Sequence, residues 1–324
     1  EDGIRDTSVT GVQTCALPIC GCGSWLTAKH LYQRQKILQQ KVAVNPAGMV
    51  LAGVTSVAQL ATEDLVKFLA GLPQVSRPFI DNWFRQNPET TQKADHSPVT
   101  IADQQTETAL RDVIATVFPD DAIQGEEFGT AGRHDTARFC WVIDPIDGTK
   151  AFISGKPIFG TLVGVTDHGV PCAGMIDMPI LKETYIGHVM GQNQPFCQMN
   201  GTMVRPSTCL DLPSARIATT SPLALSASGL AGFNQLAALA AVTNYGGDCH
   251  NYALLAAGHI DLVMEDSLAP HDIMAVVAVM QAAGATVTDT AGQPIAHGQS
   301  TSILAAATPA LHRAALTVLA SRAI

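Results

Sequence analysis

Charged and aromatic residues are scarce in this chain. Only 15% of its 324 residues are charged and 5% are aromatic, whereas 47% are hydrophobic. A chain of this length and composition can bury a sizeable core in one large or two moderate domains, and it is too apolar to be disordered. It also lacks any run of 18 apolar residues, which predicts that no segment spans a membrane. The composition therefore fits a well-buried α/β protein.

Basic residues are fewer than acidic ones, and the cysteines form no recognisable pattern. The 19 Lys and Arg against 28 Asp and Glu give a net charge of -9, which argues against a nucleic-acid or anionic-membrane partner. Of the eight cysteines, Cys20 and Cys22 have the wrong spacing for a zinc site or a redox pair, and the others are scattered in apolar surroundings. We expect buried free thiols and a cytoplasmic location rather than a disulfide framework.

The stretch from 139 to 149 predicts a buried strand that ends in two carboxylates. Uncharged aromatic and β-branched residues precede Asp144 and Asp147, and Pro145 between them predicts that the chain turns there. Gly148 lets the backbone approach a ligand closely, and Thr149 adds a hydroxyl and an amide. Two fixed carboxylates before a glycine turn are suited to binding a hard cation together with a phosphate.

Three motifs in this order resemble the inositol monophosphatase family of magnesium-dependent phosphatases. They are Asp-Pro-Ile-Asp-Gly-Thr at 144–149, Gly-Glu-Glu at 125–127 and Pro-His-Asp at 270–272. The segment after the first motif, 150–155, is most similar to the histidinol-phosphate phosphatases of that family. The resemblance runs from about Leu60 to the C-terminus and implies an α/β fold, a layered αβαβα sandwich of the inositol monophosphatase/fructose-1,6-bisphosphatase type.

The chain is predicted to consist of a head and two domains. Residues 1–58 lack the family pattern, and 1–19 look like a translated sequencing-library adapter, so we expect this head to be disordered or loosely packed. Residues 59–213 are predicted to form an α+β domain that carries the metal motifs, with antiparallel strands between 158 and 199. Residues 214–324 are predicted to form an α/β domain that holds the substrate pocket.

Helices are predicted in six places. Apolar residues between 65 and 84 keep helical spacing with possible breaks at Pro73 and Pro78, and a second helix follows Asp103 as far as Pro119. In the C-terminal part, helices are predicted at 230–241, 252–258, 272–283 and from 308 to about 323, with strands at 216–220, 260–264 and 285–288.

The resemblance implies that acidic groups from distant motifs bind two or three Mg²⁺ ions. The implied ligands are Glu126, Asp144, the Ile146 carbonyl, Asp147 and Asp272. An all-oxygen set suits Mg²⁺, and the lack of clustered His and Cys argues against zinc. Taken alone, Glu126 reads as a surface acid and Asp272 as a helix cap, so only the resemblance favours the metal role. His271, where the family often has tryptophan, is predicted to be a packing or supporting residue.

The implied chemistry is hydrolysis without a covalent intermediate. The resemblance assigns catalytic roles to Thr149, Asp103 and Glu126: Asp103 orients Thr149, which helps to take the proton of a water held near Glu126. Asp103 alone also reads as an acid that stabilises the start of a helix. The amides of Gly148 and Thr149 are expected to bind the phosphate. A phosphoaspartyl enzyme would need an Asp-x-Asp motif, which this chain lacks at 144–147.

Two further acids are predicted to select the substrate. Asp248, in a glycine turn, and Glu265, at the end of a strand, match the region that binds substrate hydroxyls in the family. Their charge suits a cationic amino alcohol, which favours L-histidinol phosphate, although both could simply face water. Inositol 1-phosphate, another small sugar or nucleotide phosphate, and a non-catalytic metal- or phosphate-binding role are the alternatives. The expected partners are a small phosphate ester and a second copy of the chain in a homodimer.

Overall fold

The computed structural model describes residues 53–86, 90–92, 98–132, 136–189, 195–299 and 301–321. The adapter-like segment 1–19 and the rest of the predicted head up to residue 52 lie outside the described residues. Near the end of the predicted head, Ser56 and Val57 are fixed by hydrogen bonds to Asp121. Ser56 Oγ donates to Asp121 Oδ1 at 2.5 Å and the buried Val57 donates its amide to Asp121 Oδ2 at 3.0 Å. The expectation of loose packing is therefore wrong for Ser56 and Val57.

After a single 3-10 turn at Val57–Gln59, three α-helices follow in the N-terminal part of the described chain. They are α1 (Thr62–Gly71), α2 (Pro73–Trp83) and α3 (Ile101–Val117), and the short antiparallel strands β1 (Thr90–Gln92) and β2 (Pro98–Thr100) precede α3. Pro73 starts α2, as its missing N–H allows, and Pro78 lies inside α2 without ending it. The Thr100 hydroxyl and the Asp103 carboxylate cap the start of α3 reciprocally.

An eight-stranded sheet follows. Its strands are β3 (Ala122–Gly125), β4 (Gly129–Ala131), β5 (Phe139–Asp147), β6 (Gly160–Asp167), β7 (Val170–Met178), β8 (Glu183–His188), β9 (Phe196–Met199) and β10 (Thr202–Met203), in the order β10-β9-β8-β7-β6-β5-β3-β4. Only β3 and β5 pair in parallel, so the predicted antiparallel strands are confirmed. Asn200 and Gly201, both at positive φ, join β9 to β10.

The predicted turn at Pro145 is wrong. Strand β5 continues to Asp147, and its pairing with β6 shifts register between Asp144 and Asp147. A proline has no N–H for the ladder and is tolerated at such an irregularity. The chain turns instead at Gly148, which has a φ of 91° and precedes the short helix α4 (Thr149–Ile153).

A second, five-stranded sheet is formed by the C-terminal part. Its elements in chain order are β11 (Arg216–Thr219), α5 (Ala227–Leu239), β12 (Val242–Tyr245), α6 (Cys249–Ala256), β13 (Leu262–Asp266), α7 (Pro270–Ala283), β14 (Thr286–Thr288), β15 (Ser302–Ala306) and α8 (Pro309–Ala320). The strand order is β12-β11-β13-β15-β14, with β11 parallel to both of its neighbours. The sequence predicted the four helices but neither β12 nor β15.

The helices and the two sheets stack as layers. Helices α6 and α7 contact strands of both sheets, α1 and α3 contact the larger sheet, and α5 and α8 contact the smaller one. This arrangement is the predicted αβαβα sandwich. The predicted domain boundary at 213/214 stays a prediction.

Three glycines in register hold α7 close to the larger sheet. Gly164 on β6 pairs with Gly174 on β7, which pairs with Gly187 on β8. A Cβ atom at Gly174 would lie 2.5 Å from the Ala275 carbonyl oxygen of α7, and one at Gly164 would lie 2.8 Å from the Ala275 nitrogen. Only glycine permits this approach, and the first turn of α7 is thereby set beside the end of β5.

Two expectations concern the environment of the chain. No helix in the described ranges is both long and apolar enough to cross a bilayer. The five cysteines in the same ranges are free thiols: Cys140, Cys172, Cys197, Cys209 and Cys249. The cytoplasmic location and the homodimer stay predictions.

Candidate active site

Strand ends and one helix start bring four acidic side chains together. Strands β3 and β5 are parallel neighbours, so Glu126, just after β3, lies beside Asp144 of β5, and its amide donates to the Ile143 carbonyl at 3.1 Å. Asp272 lies in the first turn of α7, where its Oδ2 accepts from the Ala269 amide at 2.7 Å. Carboxylate oxygens of Asp144, Asp147 and Asp272 all lie within 4.8 Å of one another.

Burial and mutual repulsion make this acidic cluster unfavourable without a cation. Burial raises the pKa of Asp144 well above its ordinary value, and the charges of Glu126, Asp147 and Asp272 raise it further. Burial also raises the pKa of Asp147, followed by the charges of Asp248 and Asp272. A divalent cation would relieve both effects, because it replaces the lost hydration and neutralises the carboxylates. The donor set therefore fits a hard divalent ion.

Backbone amides fix the orientation of the two carboxylates on β5. The Ile146 amide donates to Asp144 Oδ1 at 3.0 Å, and the Cys249 amide at the start of α6 donates to Asp147 Oδ2 at 2.5 Å. In each aspartate one carboxylate oxygen accepts a backbone hydrogen bond. Because the carboxylate is planar and rigid, this hydrogen bond also fixes the direction of the second oxygen. The Cys249 amide also ties the end of β5 to α6 of the C-terminal part.

Asp103 and Thr149 do not make the predicted hydrogen bond. The Thr149 hydroxyl donates to the Ile146 carbonyl at 3.2 Å, whereas Asp103 Oδ2 accepts from the Thr100 amide at 2.8 Å and from the Thr100 hydroxyl at 2.6 Å. The physical reason is local, since a capping box pairs residues three apart at a helix start. Asp103 Oδ1 is buried without a hydrogen-bond partner, and burial raises the pKa of Asp103 to about 6.

One cavity of about 560 Å³ contains the acidic cluster and both predicted substrate acids. Asp248 precedes α6 at a φ of 46° and packs on Gly148, where a Cβ atom would lie 3.0 Å from the Asp248 Cγ. Position 148 therefore needs a glycine for two reasons: its φ is positive, and a Cβ atom there would crowd the Asp248 side chain. Burial raises the pKa of Asp248 to about 6, and the charge of Glu265 contributes in the same direction.

Glu265 is the more constrained of the two substrate acids. It is 6% exposed, its Oε1 accepts from the Thr220 amide at 2.6 Å, and its Oε2 accepts from the Tyr252 hydroxyl at 2.5 Å. Burial raises its pKa, while these two hydrogen bonds act in the opposite direction. Both carboxylate oxygens already have a protein partner, so Asp248 is the better placed of the two to meet a ligand.

Several residues of the site were missed by the sequence interpretation. Tyr252 and Lys150 line the cavity, and so does His271, which sequence reasoning had treated as a packing or supporting residue. A ring nitrogen of His271 lies within 4.8 Å of carboxylate oxygens of Glu126 and Asp144. The signal was available, because His271 directly precedes Asp272 at the same helix start.

A buried glutamate on α3 holds the loop that carries Glu126, and it too was missed. Glu107 accepts from the Glu127 amide at 2.7 Å and the Phe128 amide at 3.2 Å, and Arg111 pairs with it at 2.7 Å. A side chain at Gly125 would overlap this carboxylate. The glycine of the Gly-Glu-Glu motif is thus explained by a contact 18 residues away in the chain.

Comparisons with known proteins agree with this geometry. Residues 65–322 match the sequence model of the inositol monophosphatase family. The bifunctional phosphatase IMPL2, chloroplastic, of Arabidopsis thaliana is 40% identical over 253 residues, which are 77% of this chain and 72% of that protein. The histidinol-phosphatase of Chlorobaculum parvum is 30% identical over 233 residues, 72% of this chain and 88% of that protein.

Solved structures give the same result. An inositol monophosphatase from Zymomonas mobilis superposes with a TM-score of 0.72 at 35% identity. The match covers 81% of this chain and 100% of that chain. An IMPase from Thermotoga maritima superposes with a TM-score of 0.70 at 23% identity, covering 80% and 97% of the two chains. The second likeness bears on the fold alone.

Proposed function

Because the chain belongs to the inositol monophosphatase family, whose members are phosphatases, we propose that it is a Mg²⁺-dependent phosphomonoesterase that converts L-histidinol phosphate to L-histidinol and phosphate. The observation that carries the proposal is the single cavity lined both by the acidic cluster and by Asp248 and Glu265. The cluster suits the metal and phosphate end of such a substrate, and the two other acids suit its cationic end. Relatives named histidinol-phosphatase support the same substrate.

The metal ligands in this proposal are those implied by the motifs. They are Glu126, Asp144, the Ile146 carbonyl, Asp147 and Asp272, for two or three Mg²⁺ ions. Bound there, the ions would offset the charge of the phosphate and lower the pKa of a bound water. The raised pKa values of Asp144 and Asp147 support this assignment, because a bound cation would offset the burial and the mutual repulsion that disfavour their ionised forms.

Residues beside the cluster would position the phosphate and the attacking water. The first amides of a helix have no carbonyl in a preceding turn to bond, and we assign those of Gly148 and Thr149 to the phosphate. Thr149 and Glu126 line the cavity, where they would orient the water. The link from Asp103 to Thr149 would need the Thr149 hydroxyl to leave the Ile146 carbonyl, and it stays a prediction.

Asp248 should distinguish a cationic substrate from a neutral one. Histidinol phosphate carries an ammonium group and an imidazole, whereas inositol 1-phosphate carries only hydroxyls at that end. Inositol 1-phosphate is the second candidate, favoured by the 35% identity to the Zymomonas mobilis inositol monophosphatase. A charge-assisted hydrogen bond contributes about 1.5–3 kcal/mol, which corresponds to roughly 10- to 100-fold in binding.

The test measures phosphate release with Mg²⁺ from histidinol phosphate, inositol 1-phosphate and 3′-phosphoadenosine 5′-phosphate. We expect Asp248→Asn to raise KM for histidinol phosphate at least about tenfold and to change that for inositol 1-phosphate by less than about twofold. Asp112→Asn, an exposed change on α3 outside the cavity lining, is the matched control. Equal effects on both esters would contradict the substrate, and no release from any ester would contradict the activity.

A further inference from the structure

We infer that Tyr252 is a specificity-determining residue, because its hydroxyl engages Glu265 and keeps that carboxylate from hydrogen-bonding substrate hydroxyls. Glu265 then acts on a ligand as a fixed negative charge. The inference deepens the proposed function and rests on it, since it names the contact that would make a cationic ester preferable to a neutral polyol ester. None of the sequence motifs assigned a role to Tyr252.

The position of Tyr252 follows from the topology of the smaller sheet. The chain passes from β11 to β12 on one side and returns through α6 to β13 on the other side of β11. A crevice forms at the carboxyl ends of parallel strands where the chain changes direction in this way, and Thr220 and Glu265 lie at those ends of β11 and β13. Tyr252 lies on α6 four residues after Asp248, and both residues line the cavity.

Glu265 is clamped between a strand end and a helix. Its Oε1 accepts from the Thr220 amide at 2.6 Å and its Oε2 accepts from the Tyr252 hydroxyl at 2.5 Å. Glu265 is 6% exposed and Tyr252 is 3% exposed, so the carboxylate has little surface left for a further donor. A tyrosine hydroxyl has one proton, and Tyr252 has already donated it to Glu265. The pair therefore offers a ligand negative charge and no donor.

Negative charge without a free hydrogen-bonding oxygen favours a cation over a polyol. The charge of Glu265 reaches Asp248, whose pKa it helps to raise, so a cation bound at Asp248 would also be attracted by Glu265. A neutral hydroxyl gains little from a charge at a distance and needs a direct hydrogen bond, which Tyr252 has taken. A protein can select a ligand by withholding a bond from the competitor as well as by offering one to the preferred ligand.

The competing role for Tyr252 is structural. A buried tyrosine usually finds a partner for its hydroxyl, and the ring of Tyr252 packs in the core between the two sheets. If this were the whole role, removing the hydroxyl would lower stability and leave the preference between esters unchanged. Tyr185 provides the matched case: it is 2% exposed, and its hydroxyl donates to Glu183 Oε2 at 2.9 Å, outside the cavity lining.

The experiment measures KM for histidinol phosphate and inositol 1-phosphate with the full chain and Mg²⁺. We expect Tyr252→Phe, which frees Glu265 Oε2, to lower KM for inositol 1-phosphate at least about fivefold and to change that for histidinol phosphate less than about twofold. The control Tyr185→Phe should leave both values unchanged. Glu265→Gln removes the charge, so it should raise KM for histidinol phosphate at least about fivefold and change that for inositol 1-phosphate less than about twofold.

The outcomes separate this inference from the proposed function. A KM for inositol 1-phosphate that is unchanged or higher in Tyr252→Phe overturns the inference, and so does an equal shift in Tyr185→Phe. An unmodified protein that prefers inositol 1-phosphate contradicts the proposed substrate, yet a preference that shifts only in Tyr252→Phe still upholds the role of Tyr252. If no ester is hydrolysed, the same comparison uses dissociation constants from calorimetric titration with Mg²⁺.

A second variant keeps the inference falsifiable if Tyr252→Phe does not fold. Circular dichroism checks the fold of each variant. An unchanged KM for histidinol phosphate in Glu265→Gln would overturn the fixed-charge role of Glu265, and with it the role of Tyr252.

Discussion

Replacing Gly174 by alanine should push α7 away from the larger sheet and displace Asp272. The added Cβ would lie 2.5 Å from the Ala275 carbonyl oxygen and 3.1 Å from the Ala275 carbonyl carbon and Cα. Backbone atoms block the methyl group on the helix side, so no side-chain rotation can make room for it. Because Ala275 lies three residues after Asp272, on the neighbouring turn, a shift of the helix there carries Asp272 with it.

The size of the effect follows from the overlap. A carbon and a carbonyl oxygen in contact are about 3.3–3.6 Å apart, so the helix must retreat by about 1 Å. Overpacking of this kind typically lowers the free energy of unfolding by about 1–3 kcal/mol, which corresponds to a Tm lower by several degrees. A displacement of about 1 Å in a catalytic constellation can reduce the rate by about 100-fold. The rate should therefore fall by more than the loss of stability alone would cause.

Two measurements test the reasoning on Gly174→Ala. Thermal unfolding gives the stability, and phosphate release against Mg²⁺ concentration gives the rate and the metal dependence at a temperature where the variant is folded. Val170→Ala changes an exposed residue at the start of the same strand and is the control. Wild-type Tm and rate in Gly174→Ala would refute the spacing argument. A lowered Tm with an unchanged rate would show that the movement of α7 does not reach Asp272.

The strands and helices with strong local patterns were predictable, and two strands were not. The antiparallel strands β6 to β9 follow apolar runs that turn residues separate, and both the pattern and the pairing favour the same structure. Strand β15 has the sequence Ser-Ile-Leu-Ala-Ala, which suits a helix as well. It becomes a strand because it fills the place between β13 and β14, and that is a tertiary effect no local pattern contains.

The convergence of the acidic groups needed more than spacing. Asp272 lies 125 residues after Asp147, a separation that predicts nothing by itself, and only the family resemblance placed them together. The structure supplies the physical reason, since paired glycines on three strands admit α7 beside β5. The role of such a glycine depends on which helix packs against its strand. The positions of these three glycines in the sequence therefore did not indicate where the active site lies.

Competition between hydrogen-bond partners was the least predictable feature of the site. Asp103 had two possible partners, Thr149 across the fold and Thr100 at its own helix start, and it bonds to Thr100. Glu107 reads as an ordinary helical acid, yet it is fully buried and holds the Glu126 loop. Local contacts cost less chain entropy than distant ones, but a single sequence does not say which of them a given carboxylate makes.

Two further predictions concern the acidic cluster and its protons. Asp144→Asn should reduce turnover at least several hundredfold with an unchanged circular dichroism spectrum, because it removes a central carboxylate from the proposed metal ligands; substantial activity in this variant would contradict the scheme. In metal-free protein, Asp103 has a pKa raised from 3.8 to about 6, and the pKa values of Asp144 and Asp147 are raised as well. The folded state therefore binds protons that the unfolded state has released, so these groups stabilise the fold at low pH, and their contribution is lost as the pH rises from about 4 through about 6 and beyond. Mg²⁺ binds the ionised carboxylates, so the rise in Tm that Mg²⁺ produces over EDTA should be larger at about pH 7.5 than at about pH 5. A Mg²⁺-induced rise that is equal at both values would mean that the buried acids keep their charge without the metal.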